Sequence, residues 1–279
     1  MNEAFQPLPL SAWQDTRDTL ADYTRFVRRI RQFNSPPQKH YWHISLRPNA
    51  TGLTSTPIRT PEGIIYELEF DFTEHVLRLK TSHGDQLEVP LLGQSAKQFK
   101  EETLAMLAEL GIKPKYDEQE FNDDTARTYD ETAVATYWDA LIEIDSLLKE
   151  FRAGYYEETG AVQFWPHHFD LAMLWFSGRK VPGQDLDNPD YANEQMNFGF
   201  STGDDGIPEP YFYATAYPTP DGWPGSNLPD GAYWNHEGWT GAVLPYQKVV
   251  EAQNGRQLLL DFLREAQHSG AQLMKDSPQ

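Results

Sequence analysis

The chain has 279 residues, 23 Lys+Arg against 42 Asp+Glu and a formal net charge of −19, a balance that repels phosphate backbones and argues against a nucleic-acid partner. No cysteine is present, which excludes disulfides, thiolate metal sites and cysteine nucleophiles. No stretch approaches the ~20 apolar residues of a membrane helix, and MNEAFQPLPLSAW lacks the charged and apolar regions of a secretory signal, so the expected location is the cytoplasm and no membrane partner is expected.

Eight Trp, fourteen Tyr and fifteen Phe are enough to build a core, because each buries a large area. A first helix is predicted from about Ala12 to Phe33, where Trp13, Leu20, Tyr23, Phe26, Val27, Ile30 and Phe33 recur near helical spacing and Pro36-Pro37 stops the run. Strand-like pieces follow at 40–46 (HYWHISL), 52–58 and 64–72. In the last, Ile64, Tyr66, Leu68, Phe70 and Phe72 take one face while Glu67, Glu69 and Asp71 take the other. Residues 75–81 and 86–91 read as a hairpin about His83-Gly84-Asp85, and Ser95–Leu110 as a helix closed by Gly111.

Residues 114–130 are charged and aperiodic, a linker. A second long helix is expected over Glu131–Ala153, then one or two strands in 162–178 interrupted at Pro166. A Gly/Pro/Asp-rich stretch over 178–210 reads as a loop. Strands are expected at 211–217, 232–235 and 242–246, a last helix over Arg256–Ala266, and a loose tail of ten residues.

The order of elements repeats. At one constant offset Trp13 meets Trp138, Phe26 meets Phe151, Gln38 meets Gln163, His43 meets His168 and Leu46 meets Leu171. At a second, larger offset Pro90 meets Pro245 and Leu104 meets Leu259, and the 178–210 stretch accounts for the change. The expected fold is α+β: two related helix–meander–helix halves, residues 1–113 and 131–279, joined by the acidic linker and packed as one unit.

At HYWHISL, FDF (70–72), KEFR (149–152), FDLA (169–172), FSGR (176–179) and PEPYFYATAYP (208–218) the chain resembles a bacterial family known only as a domain of unknown function, over roughly residues 8–265. The resemblance implies no activity, cofactor or catalytic residue.

Four groups of residues could carry chemistry. His40 and His43 flank Tyr41-Trp42, and His167-His168 precede Asp170. In a strand, His168 and Asp170 would share a face, and a pseudo-twofold would bring His43 to the same cleft. His43, His168 and Asp170 are therefore the candidate catalytic or divalent-metal set, with the 178–210 loop as a lid. The alternative is a set of hydrogen-bonded histidines in an aromatic core. The carboxylates Glu67, Glu69 and Asp71 suit acid–base work or, alternatively, a solvated strand face. Arg25, Arg28, Arg29 and Arg31 crowd the first helix; Arg25 and Arg29 share a face at i, i+4 and are candidate ligands for an anion, or partners of the many acids. Trp42 and Trp165, with His167, could line an aromatic cleft for a sugar or an acidic metabolite. The sequence thus leaves a small-molecule or metal-dependent enzyme, a non-catalytic binding module and a structural protein as the open readings. No nucleophile elbow, phosphate-binding loop or dinucleotide fingerprint is present.

Overall fold

Helix α1 (Gln14–Asn34) follows the apolar spacing: Leu20, Tyr23, Phe26, Val27 and Ile30 are buried along one side. It stops at Ser35, whose backbone is extended ahead of Pro36-Pro37 and whose N–H still reaches the Arg31 carbonyl at 2.9 Å. A computed structural model describes residues 5–276 and divides the chain into two units. The first holds Trp13–Trp138 together with a short return segment, Phe164–Phe169; the second holds the N-terminal segment up to Ala12, Asp139–Gln163, and the chain from Asp170 onward.

In the first unit, an antiparallel sheet is built from β1 (Arg47–Pro48), β2 (Gly52–Thr54), β3 (Ile58–Arg59), β4 (Ile65–Asp71), β5 (Val76–Thr81) and β6 (Gln86–Pro90). The order is β1-β2-β4-β5-β6, with β3 also against β4. Alternation on β4 works as expected on one face, where Tyr66, Leu68 and Phe70 are buried. Helix α2 (Ala96–Glu109) starts at Ser95, whose Oγ accepts the Gln98 N–H at 3.1 Å. Its Phe99 stacks on Tyr23 of α1 at 3.9 Å between centroids and meets Phe26 and Phe70 at 6.3 Å, so one ring ties both helices to the sheet. The linker has no regular structure but is fastened at Glu120 to Arg29, at Asn122 to Lys100 and, through the Arg127 N–H, to the Gly93 carbonyl.

Helix α3 (Glu131–Ala153) begins in the first unit and ends in the second, and β7 (Gln163–Trp165) crosses back. The second unit then lays down β8 (Asp170–Lys180), β9 (Asn193–Ser201), β10 (Tyr211–Tyr217), β11 (Tyr233–Asn235) and β12 (Gly241–Pro245) in the antiparallel order β11-β12-β10-β9-β8, followed by α4 (Tyr246–Glu251) and α5 (Gly255–Asp276). Trp223 is fully buried and its indole N–H donates to the Ala266 carbonyl and to Ser269 Oγ, both at 3.1 Å, which fastens the loop before β11 onto α5.

The class is α+β, as expected. The shared order of long helix, antiparallel sheet and following helix accords with an internal duplication but does not confirm it: Trp13 precedes α1, whereas Trp138 lies in the second turn of α3. Four local expectations fail. HYWHISL is not a strand; Lys39–Ile44 forms a 3-10 turn, because its short aromatic run has no partner strand to pair with until Leu46. The 178–210 stretch is not one loop, since β9 occupies Asn193–Ser201 and pairs along β8 despite two glycine- and proline-rich flanks. The last helix runs on to Asp276, because Ala271 and Met274 continue its buried stripe; residues 277–279 of the expected loose tail lie outside the described residues. His168 and Asp170 do not share a strand face: Asp170 opens β8, while His168 sits in the preceding turn, and Phe169 between them has φ 54°.

Within the second sheet, Gly199 of β9 stands opposite Tyr213 of β10, and a Cβ there would lie 2.5 Å from the Tyr213 ring and 2.7 Å from the Leu171 carbonyl oxygen. Tyr213 is buried across this gap with its hydroxyl donated to Asp170. Gly199→Ala should therefore cost about 2–3 kcal/mol by overpacking, read as a lower urea midpoint at unchanged slope. A loss below about 0.5 kcal/mol, the range of ordinary surface substitutions, would show that the ring moves aside freely.

Candidate functional site

The arginines of α1 are spaced so that burial increases along the ladder. Arg25, Arg28 and Arg31 follow one another at i, i+3, and each step turns about 60° backward around the helix toward the Leu20–Val27 side. Arg25 is accordingly exposed, Arg28 half-buried and Arg31 buried, with only 7% of its surface exposed. Arg29 points the other way, where Glu120 takes Nε at 2.6 Å and a second oxygen takes Nη2, while Gln32 takes Nη1. This bidentate pair makes Arg29 a fastener of the linker.

The 3-10 turn after α1 carries two residues in the left-handed region, His40 (φ 53°) and Tyr41 (φ 52°). Non-glycine residues there cost of order 1–3 kcal/mol each and collect at functional sites. The turn buries His43, whose Nδ1 accepts the Gln38 N–H at 3.1 Å. That bond assigns the ring proton of the neutral imidazole to Nε2, leaving Nε2–H as a donor.

The return segment reaches the same unit through one backbone bridge. Leu46 and Phe164 exchange two hydrogen bonds at 2.9 Å, N–H to carbonyl in each direction. Aromatic packing holds it there: Phe164 meets Phe169 at 5.1 Å, Phe169 stacks on Tyr137 at 5.6 Å, and Tyr137 lies 4.9 Å from Trp13. Between Phe164 and Phe169, Trp165-Pro166-His167-His168 forms a turn closed by the His168 N–H on the Trp165 carbonyl at 3.2 Å. Pro166 sits at its second position, where its fixed φ suits a β-turn. The turn displays His167 and His168 at the surface with ring centroids 4.1 Å apart, and Trp165 packs edge-on against His167.

These three pieces form a cationic cluster. Burial and then the charges of Arg31 and Arg28 lower the pKa of His43. For His167, loss of solvation comes first, then His168, Arg28 and Arg25, all in the same direction, although water at its exposed edge screens part of this. Burial and then Arg47 push Arg31 down to about 10. Burial, Arg29 and Arg25 lower Arg28 against the pull of Glu120. Arg31 Nε and Nη1, Arg28 Nε and Trp42 Nε1 are all buried donors with no acceptor among the described residues. Buried N–H groups are almost always paired, and a buried guanidinium without an anion is costly.

Of the expected site residues, the first unit brings His43, His167 and Arg25 into this cluster. Trp42 adjoins His43 along the chain, and Trp165 and His168 stand in the turn beside His167. Asp170 belongs to the second unit, where it accepts the Tyr213 hydroxyl. Among the described residues no group of three or more His, Asp or Glu could hold a metal ion; of the expected set, His43 and His168 belong to the first unit and Asp170 to the second. Of the carboxylate stripe on β4, Glu67 is half-buried and accepts the Thr54 hydroxyl, while Glu69 and Asp71 are buried and engaged. Glu69 takes Lys80, Thr51 and Asn49; Asp71 takes Arg78 at 2.6 Å and the Thr73 hydroxyl at 2.7 Å. Burial raises the Asp71 pKa, but these bonds outweigh it and hold the carboxyl at about 2. Sequence reasoning chose Arg25 with Arg29 by their i, i+4 spacing and passed over Arg28 and Arg31; the i, i+3 ladder leaning into the apolar side was the signal available.

Because His43 and His167 hold protons less tightly in the fold than in the unfolded chain, where a histidine titrates near ~6.5, the unfolded state gains protons first on acidification. Their contribution to stability is present above that value and is lost as pH falls toward the lowered folded values. Urea unfolding at pH 7.5, 6.5, 5.5 and 5 should thus show a shallower acid loss for His43→Gln and His167→Gln than for the unaltered protein. Parallel curves would mean that neither ring is held neutral by Arg25, Arg28, Arg31 and His168.

No curated protein and no solved structure matches this chain. A family model does, over residues 5–277. The chain belongs to the Family of unknown function (DUF5996), whose model spans it almost from end to end.

Proposed function

We propose that this protein binds a small anionic ligand in the cluster formed by Arg28, Arg31 and His43, with Arg25, Trp42 and the His167-His168 turn around it. The observation that carries this reading is Arg31: buried, and without a hydrogen-bond acceptor among the described residues, in a chain of net charge −19. Carboxylates are abundant, yet none pairs with it. An acidic protein that buries an arginine for stability alone would be expected to give it an acid, as it gives Glu120 to Arg29 and Asp71 to Arg78. Buried guanidinium donors without an acceptor are the groups with which proteins bind anions.

His40, Tyr41 and Phe169 take left-handed backbone in the turns that present His43 and His167-His168. Binding outweighs catalysis as the conclusion. The cluster offers donors and rings, while the buried carboxylates of the first sheet are fully occupied.

Arg31→Met separates a binding role from a structural one. Removing an unpaired buried charge while keeping the stem's length should stabilise the unliganded protein by about 1 kcal/mol, a rise in Tm of roughly 2–4 °C for a chain of this size. In thermal melts at matched ionic strength, at least one of acetate, succinate and phosphate should raise the Tm of the unaltered protein relative to chloride. None should do so for Arg31→Met. A less stable variant, or anion-induced shifts that survive the substitution, would defeat the reading.

A further inference from the structure

We infer that the anion is a phosphoryl dianion, as borne by inorganic phosphate or a phosphomonoester, with His43 serving as a neutral donor to one of its oxygens; this rests on the anion-binding reading above. Three features of the cluster select among anions. The first is charge. Arg25, Arg28 and Arg31 contribute three guanidinium groups; among the described residues Arg25 has Asp22 at 3.7 Å, and the Glu120 that acts on Arg28 is already committed to Arg29. A monoanion would leave most of that charge unmatched, whereas a dianion matches it better.

The second feature is the number and spread of donors. Arg31 Nε and Nη1 and Arg28 Nε are buried and unaccepted, and the His43 ring adds Nε2–H because the Gln38 N–H occupies Nδ1. They arise from two successive turns of α1 and from the 3-10 turn beyond it, so they do not lie in one plane. A carboxylate offers two oxygens in a plane; a tetrahedral phosphoryl group offers three or four oxygens in three dimensions and matches donors of this kind.

The third is protonation. The cluster offers donors rather than acceptors among the described residues, so it favours an anion with three or more unprotonated oxygens, as HPO4²⁻ and a phosphomonoester dianion have, over a sugar hydroxyl or a protonated acid. His43, kept neutral beside Arg28 and Arg31, adds a hydrogen bond without adding charge.

Calorimetric titration of the full chain at pH 7.5 and constant ionic strength tests this with four probes: inorganic phosphate, sulfate, glycerol 3-phosphate and succinate. Phosphate and sulfate should bind at least about tenfold more tightly than succinate. Arg31→Met should weaken phosphate at least about tenfold. His43→Leu should weaken it several-fold, and His43→Gln, which restores an amide donor, should recover most of the loss. Tighter binding of glycerol 3-phosphate than of phosphate assigns the group to a soluble phosphomonoester. Capture of the chain on phosphatidic-acid vesicles, and not on phosphatidylcholine vesicles, assigns it to a lipid headgroup; either result supports the phosphoryl class. Succinate binding as tightly as phosphate would overturn the phosphoryl assignment and leave an anion site standing. Failure of every probe to bind the unaltered protein would overturn both. If Arg31→Met does not fold, Arg28→Gln and the two His43 variants carry the comparison.

Discussion

Two hydrogen bonds between Leu46 and Phe164 decide where the chemistry of this protein can lie. They join the end of the turn that follows α1 to a strand residue laid down only after α3, and they are the one backbone bridge by which residues 164–169 enter the first unit. The rings of Phe164, Phe169, Tyr137 and Trp13 then fix the segment, each pair within 6 Å or less. Everything offered by His167 and His168 depends on that register. A slip by one residue would reverse the faces of the pair and bury the turn's display.

Around this bridge the fold treats its charges in two ways. On the β4–β5 ladder each basic residue reaches an acid diagonally: Lys80 stands opposite Glu67 but pairs with Glu69, and Arg78 stands opposite Glu69 but pairs with Asp71. Hydroxyls of Thr51, Thr54 and Thr73 complete the set, so buried carboxylates are matched and hydrogen-bonded. On α1 the opposite holds. Arg31 is nearly as buried as Asp71, yet no acid among the described residues pairs with it. The same chain that solves the burial of charge in its sheet leaves it unsolved one layer away, and the cost of that is the physical case for a ligand.

Left-handed backbone at non-glycine residues is spread over the first unit, at Thr56, His75 and Phe121 as well as in the turns that carry the histidines. Two of the first sheet's turns place glycine at positive φ, Gly63 and Gly84, while Thr56 and His75 take it with a side chain. At His40, Tyr41 and Phe169 the chain takes left-handed backbone with side chains that resist it. Two of these carry rings that pack beside the histidines, His40 against Trp42 and Tyr41 against His43.

The α+β class, the two long helices, the β4–β5–β6 meander and the helix from Ser95 to Gly111 were all legible from the sequence, because periodicity and local stop signals report on the residues themselves. So was the concentration of arginines on α1 and the presence of two histidine pairs. The sequence could not tell which arginine keeps its acid: Arg25 and Arg29 share a face at i, i+4, but Glu120, distant along the chain, takes Arg29, while the turn of the helix carries Arg31 inward. Nor could local pattern separate a 3-10 turn from a strand at 40–46, or detach His168 from Asp170, since both outcomes hang on left-handed residues that only long-range packing makes tolerable. Residue types and spacing determined what groups this protein has to offer. Tertiary structure alone decided which are satisfied within the fold and which are left with hydrogen bonds to give, because partners for buried charge come from anywhere in the chain.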